Sequence, residues 1–126
     1  MSELYDEGMK VRRAVLGDAY VDRSLQSGTD FRKPMQDLVT EFCWGAVWGR
    51  EGLDRRTRSL VNLGMLTALN RSTELAAHVR GAVNNGATKE EIQEVLLQAA
   101  VYCGMPAGLE SFRVAETVFD DLAAEG

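Results

Sequence analysis

The stretch Thr88-Lys89-Glu90-Glu91-Ile92-Gln93-Glu94-Val95-Leu96-Leu97-Gln98-Ala99-Ala100-Val101-Tyr102-Cys103 decides the fold. Thr88 followed three residues later by Glu91 matches a capping box, so a helix starts at about residue 89. Gly104-Met105-Pro106 then breaks it near Cys103. Ile92, Val95, Leu96 and Ala99 form one apolar face, but Leu97, Ala100 and Val101 carry apolar character around the cylinder. A helix apolar on most sides is buried on most sides. In so short a chain, part of that burial is expected from another subunit.

Outward from this helix, the same period of three and four recurs. Residues 3–16 read as an amphipathic helix with Leu4, Met9, Val11 and Val15 among charges, stopped by Gly17. Residues 18–33 read as a short helix or turn, then a loop. Pro34 suits the first turn of a helix over about 33–48. Asp54 is a candidate N-cap for a helix over about 55–69, and Ser72 or Thr73 for one over about 73–84, stopped by Asn85-Gly86. A last helix follows Pro106 to about Ala123. No alternating run of β-branched residues marks a strand. The expected fold is all-α.

The chain has 126 residues, 45% hydrophobic and 26% charged, which fits one globular domain. A chain of this size buries roughly 65–70% of its unfolded surface, so its core needs neither disulfide nor metal. The net charge of −5 excludes nucleic acid as the main partner, since phosphate binding needs a basic face. It leaves room for a small anion at a local positive site. Cys43 and Cys103 are far apart and in no ligand spacing, as expected of two reduced cysteines in a core or interface. No apolar run approaches the roughly 20 residues that span a bilayer. The start, Met1-Ser2-Glu3-Leu4-Tyr5-Asp6-Glu7, is acidic where a signal peptide is basic and then apolar. These features point to the cytoplasm.

Two groups of residues carry chemistry. His78 is the single histidine, and histidine is the side chain whose ordinary pKa, about 6.5, lies near neutral pH. Glu74 precedes it by four residues, so the two are neighbours on one helix face. A carboxylate there can fix the imidazole's tautomer and raise its pKa. The plain alternative is an exposed helix pair worth a few tenths of a kcal/mol. The second group is Arg50, Arg55, Arg56 and Arg58, three of them in the first turn of a helix, where the dipole disfavours cations. Either they form a salt-bridged turn or they converge on a carboxylate. Spacing puts Arg55 and Arg58 on one face and Arg56 off it, so at least one of the three is structural.

The ordered pieces Trp44-Gly-Ala-Val-Trp48, Gly52-Leu-Asp-Arg-Arg-Thr-Arg58, Glu74-Leu-Ala-Ala-His-Val-Arg80, Asn84-Asn-Gly-Ala-Thr88 and Val101-Tyr-Cys-Gly-Met-Pro106 resemble the carboxymuconolactone decarboxylase family. The resemblance runs from Trp44 to Phe119. It implies an alkylhydroperoxidase D-like bundle of about six to seven helices, with an N-terminal extension over about 1–32 and a core over about 33–124. It also implies a ring-shaped homo-oligomer, often a hexamer. The sister thiol peroxidases use a glutamate, a cysteine pair and a histidine. Placing their histidine on His78 puts the thiols on Arg71 and Glu74 and the glutamate on Ser59, which disfavours peroxidase chemistry.

The implied reaction is loss of CO2 from 4-carboxymuconolactone, giving 3-oxoadipate enol-lactone in protocatechuate breakdown. The substrate is a small dianion whose unsaturated lactone takes up the electrons, so no cofactor and no metal is needed. Under the resemblance, His78 supplies the proton or a hydrogen bond to the dienolate, and Glu74 orients it. Arg58, with Arg55 or Arg50, anchors a carboxylate, and Trp44, Trp48 and Tyr102 wall the site against water. The same scaffold acting on another small carboxylated lactone is the open alternative.

Overall fold

In a computed structural model the described residues form seven α-helices and one π-helical stretch, with no strand among them. The described residues are 2–126; Met1, where the expected acidic start and single domain begin, lies outside them. The α-helices are α1 (Glu3–Leu16), α2 (Asp18–Gln26), α3 (Lys33–Leu38), α4 (Arg55–Ala68), α5 (Ser72–Asn84), α6 (Lys89–Cys103) and α7 (Met105–Glu125). The π-helix covers Val39–Val47. Among the described residues, no helix is long and apolar enough to cross a membrane. By their contacts the residues fall into two compact units, one ending at Arg55 and the other starting at Arg56.

In the first unit, α1 starts at Ser2, whose hydroxyl accepts from the Tyr5 amide at 3.0 Å. Gly17 ends it, and Arg13 ties its last turn to α2 through Asp18 at 3.1 Å and Asp22 at 2.9 Å. Val11, Val15 and Val21 are buried. The helix expected over 33–48 is present but changes winding at Val39. In a π-helix the bond runs from residue i to i+5, as Trp48 N–H to the Cys43 carbonyl does at 2.9 Å.

The cause of the change is visible in α1. A Cβ on Gly8 would collide with the Thr40 carbonyl oxygen and stand 2.8 Å from the Gly45 nitrogen. Thr40 and Gly45 are five residues apart, one turn of a π-helix, so both sit under the same point of α1. An α-helix would rotate them well apart. Nothing in the 33–48 stretch alone carries that information. Nearby, the Arg12 side chain is buried and donates from Nη1 to the Thr40 hydroxyl at 3.1 Å. Burial without a carboxylate lowers its affinity for its proton.

The second unit is built around Leu63, Leu75, Val79, Ala82, Ile92, Leu96, Ala115 and Val118. Truncating a fully buried leucine of this kind costs about 2–5 kcal/mol. The capping box forms as read: Thr88 Oγ1 accepts from the Glu91 amide at 3.1 Å, and the Glu91 carboxylate accepts from the Thr88 amide at 2.8 Å. Gly104, at φ +124°, turns α6 into α7. The two helices then cross closely, because a Cβ on Gly108 would overlap the Ala100 side chain. A buried hydrogen bond of 2.9 Å from Ser111 to Thr67 joins α7 to α4.

One expectation is corrected here. The N-cap of α5 is Arg71, not Ser72 or Thr73, and it caps without its side chain. The break before it is made by Asn70 at φ 58°, a left-handed conformation that asparagine tolerates. Within one chain α6 leaves part of its apolar surface open: Leu97 is 47% exposed, Val101 70% and Tyr102 84%. Only the face with Ile92, Leu96, Ala99 and Ala100 is covered.

Candidate active site

His78 stands in the middle of α5, between the buried residues Ala77 and Val79, and is half-buried itself. Its ring meets α4. Nδ2 of Asn62 lies 3.1 Å from Nδ1 of His78. Burial pushes the imidazole down from its usual 6.5 to about 4, and the charge of Glu74 opposes that only in part. The expectation of a raised pKa is therefore reversed. Desolvation of the charged ring outweighs a single carboxylate that is itself exposed to water. At neutral pH the ring is neutral, which makes it a hydrogen-bond donor and acceptor instead of a cation.

A second polar link lies one turn towards the start of α4. Asn85, just past the end of α5, donates from Nδ2 to the hydroxyl of buried Ser59 at 2.9 Å. The two asparagine bonds fix how α4 and α5 face each other. Arg58 precedes Asn62 by four residues and so occupies the adjacent position on the same face of α4. It is half-buried. Asn62 and His78 are the pair in hydrogen-bond contact, with Arg58 one turn before Asn62 on α4 and Glu74 one turn before His78 on α5.

The remaining site candidates are placed as follows. Arg56 forms an ion pair with Glu91, the capping-box residue of α6, which is the structural arginine that the spacing requires. Arg55 is the first residue of α4 and exposed. Arg50 is exposed in the turn after the π-helix, its amide bonded to the Val47 carbonyl at 3.1 Å. Trp44 and Trp48 are both buried, with ring centroids 4.9 Å apart and planes tilted by 36°. Tyr102 is exposed at the end of α6. It lines a groove of about 510 Å³ between α4 and α6, with Leu60, Val61, Met65, Val95 and Cys103.

Cys43 and Cys103 are both exposed in the single chain, so neither is a core residue. Among the described residues, no three of His, Cys, Asp and Glu gather where a metal ion would bind. Arg80, two residues after His78, is taken up by Glu125 through two bonds of 2.8 and 2.7 Å. Sequence reasoning passed over Asn62, read Asn85 only as a helix stop, and gave Ser59 no role in this site. Polar residues at 59 and 62 among Leu60, Leu63 and Leu66 were a usable signal, since a buried polar side chain needs a partner.

The model of the carboxymuconolactone decarboxylase family matches residues 33–117. A nitrosuccinic acid decarboxylase from Metarhizium robertsii is 48% identical over 98% of this chain and 86% of its own length. A 4-carboxymuconolactone decarboxylase from Acinetobacter baylyi is 46% identical over 94% of this chain and 88% of its own. A 4-carboxymuconolactone decarboxylase from Pseudomonas putida is 54% identical over 32% of this chain and 85% of its own sequence.

Proposed function

Because the chain belongs to the carboxymuconolactone decarboxylase family, we propose that it is a carboxy-lyase acting without a cofactor on 4-carboxymuconolactone. The observation that carries this is the likeness, over nearly the whole chain, to a decarboxylase named for that substrate. In this reading the enzyme serves protocatechuate breakdown in the cytoplasm.

The bond from carbon to the departing carboxylate breaks, and its electron pair runs through the ring double bond onto the lactone carbonyl oxygen. No oxidant or reductant is consumed. One proton from solvent completes the product at carbon. Neutral His78 donates a hydrogen bond to the oxygen on which charge develops, and Arg58 binds a carboxylate that is retained. A neutral imidazole suits that task, since it does not need to be charged in a half-buried place. Glu74 acts on His78 through its charge. Arg50, Arg55, Trp44, Trp48 and Tyr102 are the further positions to substitute singly under the same assay.

A second reading rests on the relative named for nitrosuccinic acid. Nitrosuccinate is also a small dianion with its own electron sink, because a nitro group beside the departing carboxylate takes the electron pair as a nitronate. The demands on His78 and Arg58 are the same. Purified protein offered each acid in turn, with CO2 release followed, decides between them. No release above the spontaneous rate from either acid refutes the carboxy-lyase reading. The proposal includes self-association, with a hexamer as the expected form. The uncovered apolar residues Val61, Met65, Leu97, Val101 and Leu109 support it.

A further inference from the structure

We infer that Asn62 is a positioning residue that holds the only histidine of the chain in one tautomer, with the proton on Nε2. The argument starts from the pair itself. An amide nitrogen has protons to give and no lone pair to offer, so Nδ2 of Asn62, 3.1 Å from Nδ1 of His78, can only donate. Nδ1 must therefore accept, and a neutral ring that accepts at Nδ1 carries its proton at Nε2.

The rest of α4 and α5 keeps the pair in register. Leu63, next to Asn62, and Val79, next to His78, are both fully buried in the same core. The Ser59–Asn85 bond of 2.9 Å joins the two helices again, one turn from Asn62 on α4 and about two turns from His78 on α5. Asn62 therefore works on the ring from behind and need not touch a substrate. Its consequence for the reaction rests on the carboxy-lyase reading: Nε2–H is the group that meets the developing oxygen charge, and the wrong tautomer presents a lone pair to it.

The test uses the folded protein labelled with ¹⁵N. A single histidine gives a single imidazole pattern in two-bond ¹H–¹⁵N correlation spectra. At neutral pH the wild type is expected to show a bare Nδ1 and a protonated Nε2. Asn62→Asp replaces the donor by an acceptor, so the proton moves to Nδ1 and the ring titrates at a higher pH than in the wild type. With substrate, that variant is expected to lose kcat by about 10–100-fold, the usual size for a residue that orients a working histidine, with KM little changed. Asn62→Ala is expected to show both tautomers. A protonated Nδ1 in the wild type, or an unchanged pattern in both variants, overturns the inference whatever the activity. The expected pattern with no CO2 released from either acid removes the reaction assignment and leaves the tautomer assignment standing.

Discussion

Asn85 gives a hydrogen bond of 2.9 Å to the hydroxyl of Ser59, joining the residue after α5 to the buried face of α4. The bond lies one turn from Asn62 along α4 and about two turns from His78 along α5, so two hydrogen bonds tie these helices together. Ser59→Ala removes the acceptor and is expected to destabilise the fold by about 1–3 kcal/mol, measured by urea unfolding. Asn85→Ala alone and the double variant complete a cycle. A double variant that loses as much as the two single ones added together would show that the pair is not coupled.

The depressed histidine gives a pH signature. His78 takes up its proton at about 4 in the folded chain and at its ordinary 6.5 when unfolded. The unfolded state binds more protons in that window, so stability falls as pH drops from about 6.5 to about 4 and is fully present above it. The shift corresponds to an effect on the order of 3 kcal/mol. Comparing urea midpoints at pH 4.5 and 7.5 for the wild type and His78→Asn isolates it, since the carboxylates titrate in both. Equal pH dependence in the two proteins would contradict a neutral buried ring.

Activity should follow the same group. His78→Ala removes the hydrogen bond to the developing oxygen charge and is expected to lower the decarboxylation rate by about 10²–10³. In the wild type the acid limb of kcat/KM is expected near pH 4, where the ring charges, and not near 6.5. A limb centred at 6.5 would mean that the working imidazole is solvated.

The arginines separate by role. Arg58→Lys is expected to raise KM, because lysine lacks the planar fork that grips a carboxylate at two points. Arg56→Ala loses an ion pair with Glu91 that is partly open to solvent. It is expected to cost no more than about 1 kcal/mol of stability and to leave KM unchanged. A rise in KM for Arg56→Ala would move that residue into the binding site.

Helix crossings supply a packing prediction. Gly108→Ala pushes a methyl group into Ala100 and is expected to destabilise by about 1–3 kcal/mol. Ala100→Gly in the same chain is expected to recover much of that loss in thermal unfolding. Failure to recover would place the remaining strain against the Ala100 backbone, whose Cα stands 3.1 Å from a Cβ on Gly108.

Which of these features the sequence revealed depends on their range. The capping box of Thr88 and Glu91 and the stop at Gly104 lie within a few residues, and local chemistry wrote them plainly. The π-winding at Val39 did not show, because its cause is Gly8 on a different helix. The α5 start was misread for a similar reason: Ser72 and Thr73 are good caps, but left-handed Asn70 ends the turn sooner. His78 and Arg58 were visible by residue type. The sign of the histidine's shift and its Asn62 partner were not, since both depend on what surrounds the ring 16 residues away in sequence.

The stacked Trp44–Trp48 pair has an optical consequence. Both indoles of the chain lie in or beside the π-helix, 4.9 Å apart, while the unit from Arg56 onward contains no tryptophan and only exposed Tyr102 as a phenol. Intrinsic emission excited at the red edge therefore originates in the first unit, and coupling between two neighbouring indoles contributes to the near-ultraviolet dichroism. A melt followed by light of that wavelength reads the surroundings of Trp44 and Trp48, and the amide region reads the helices of both units together.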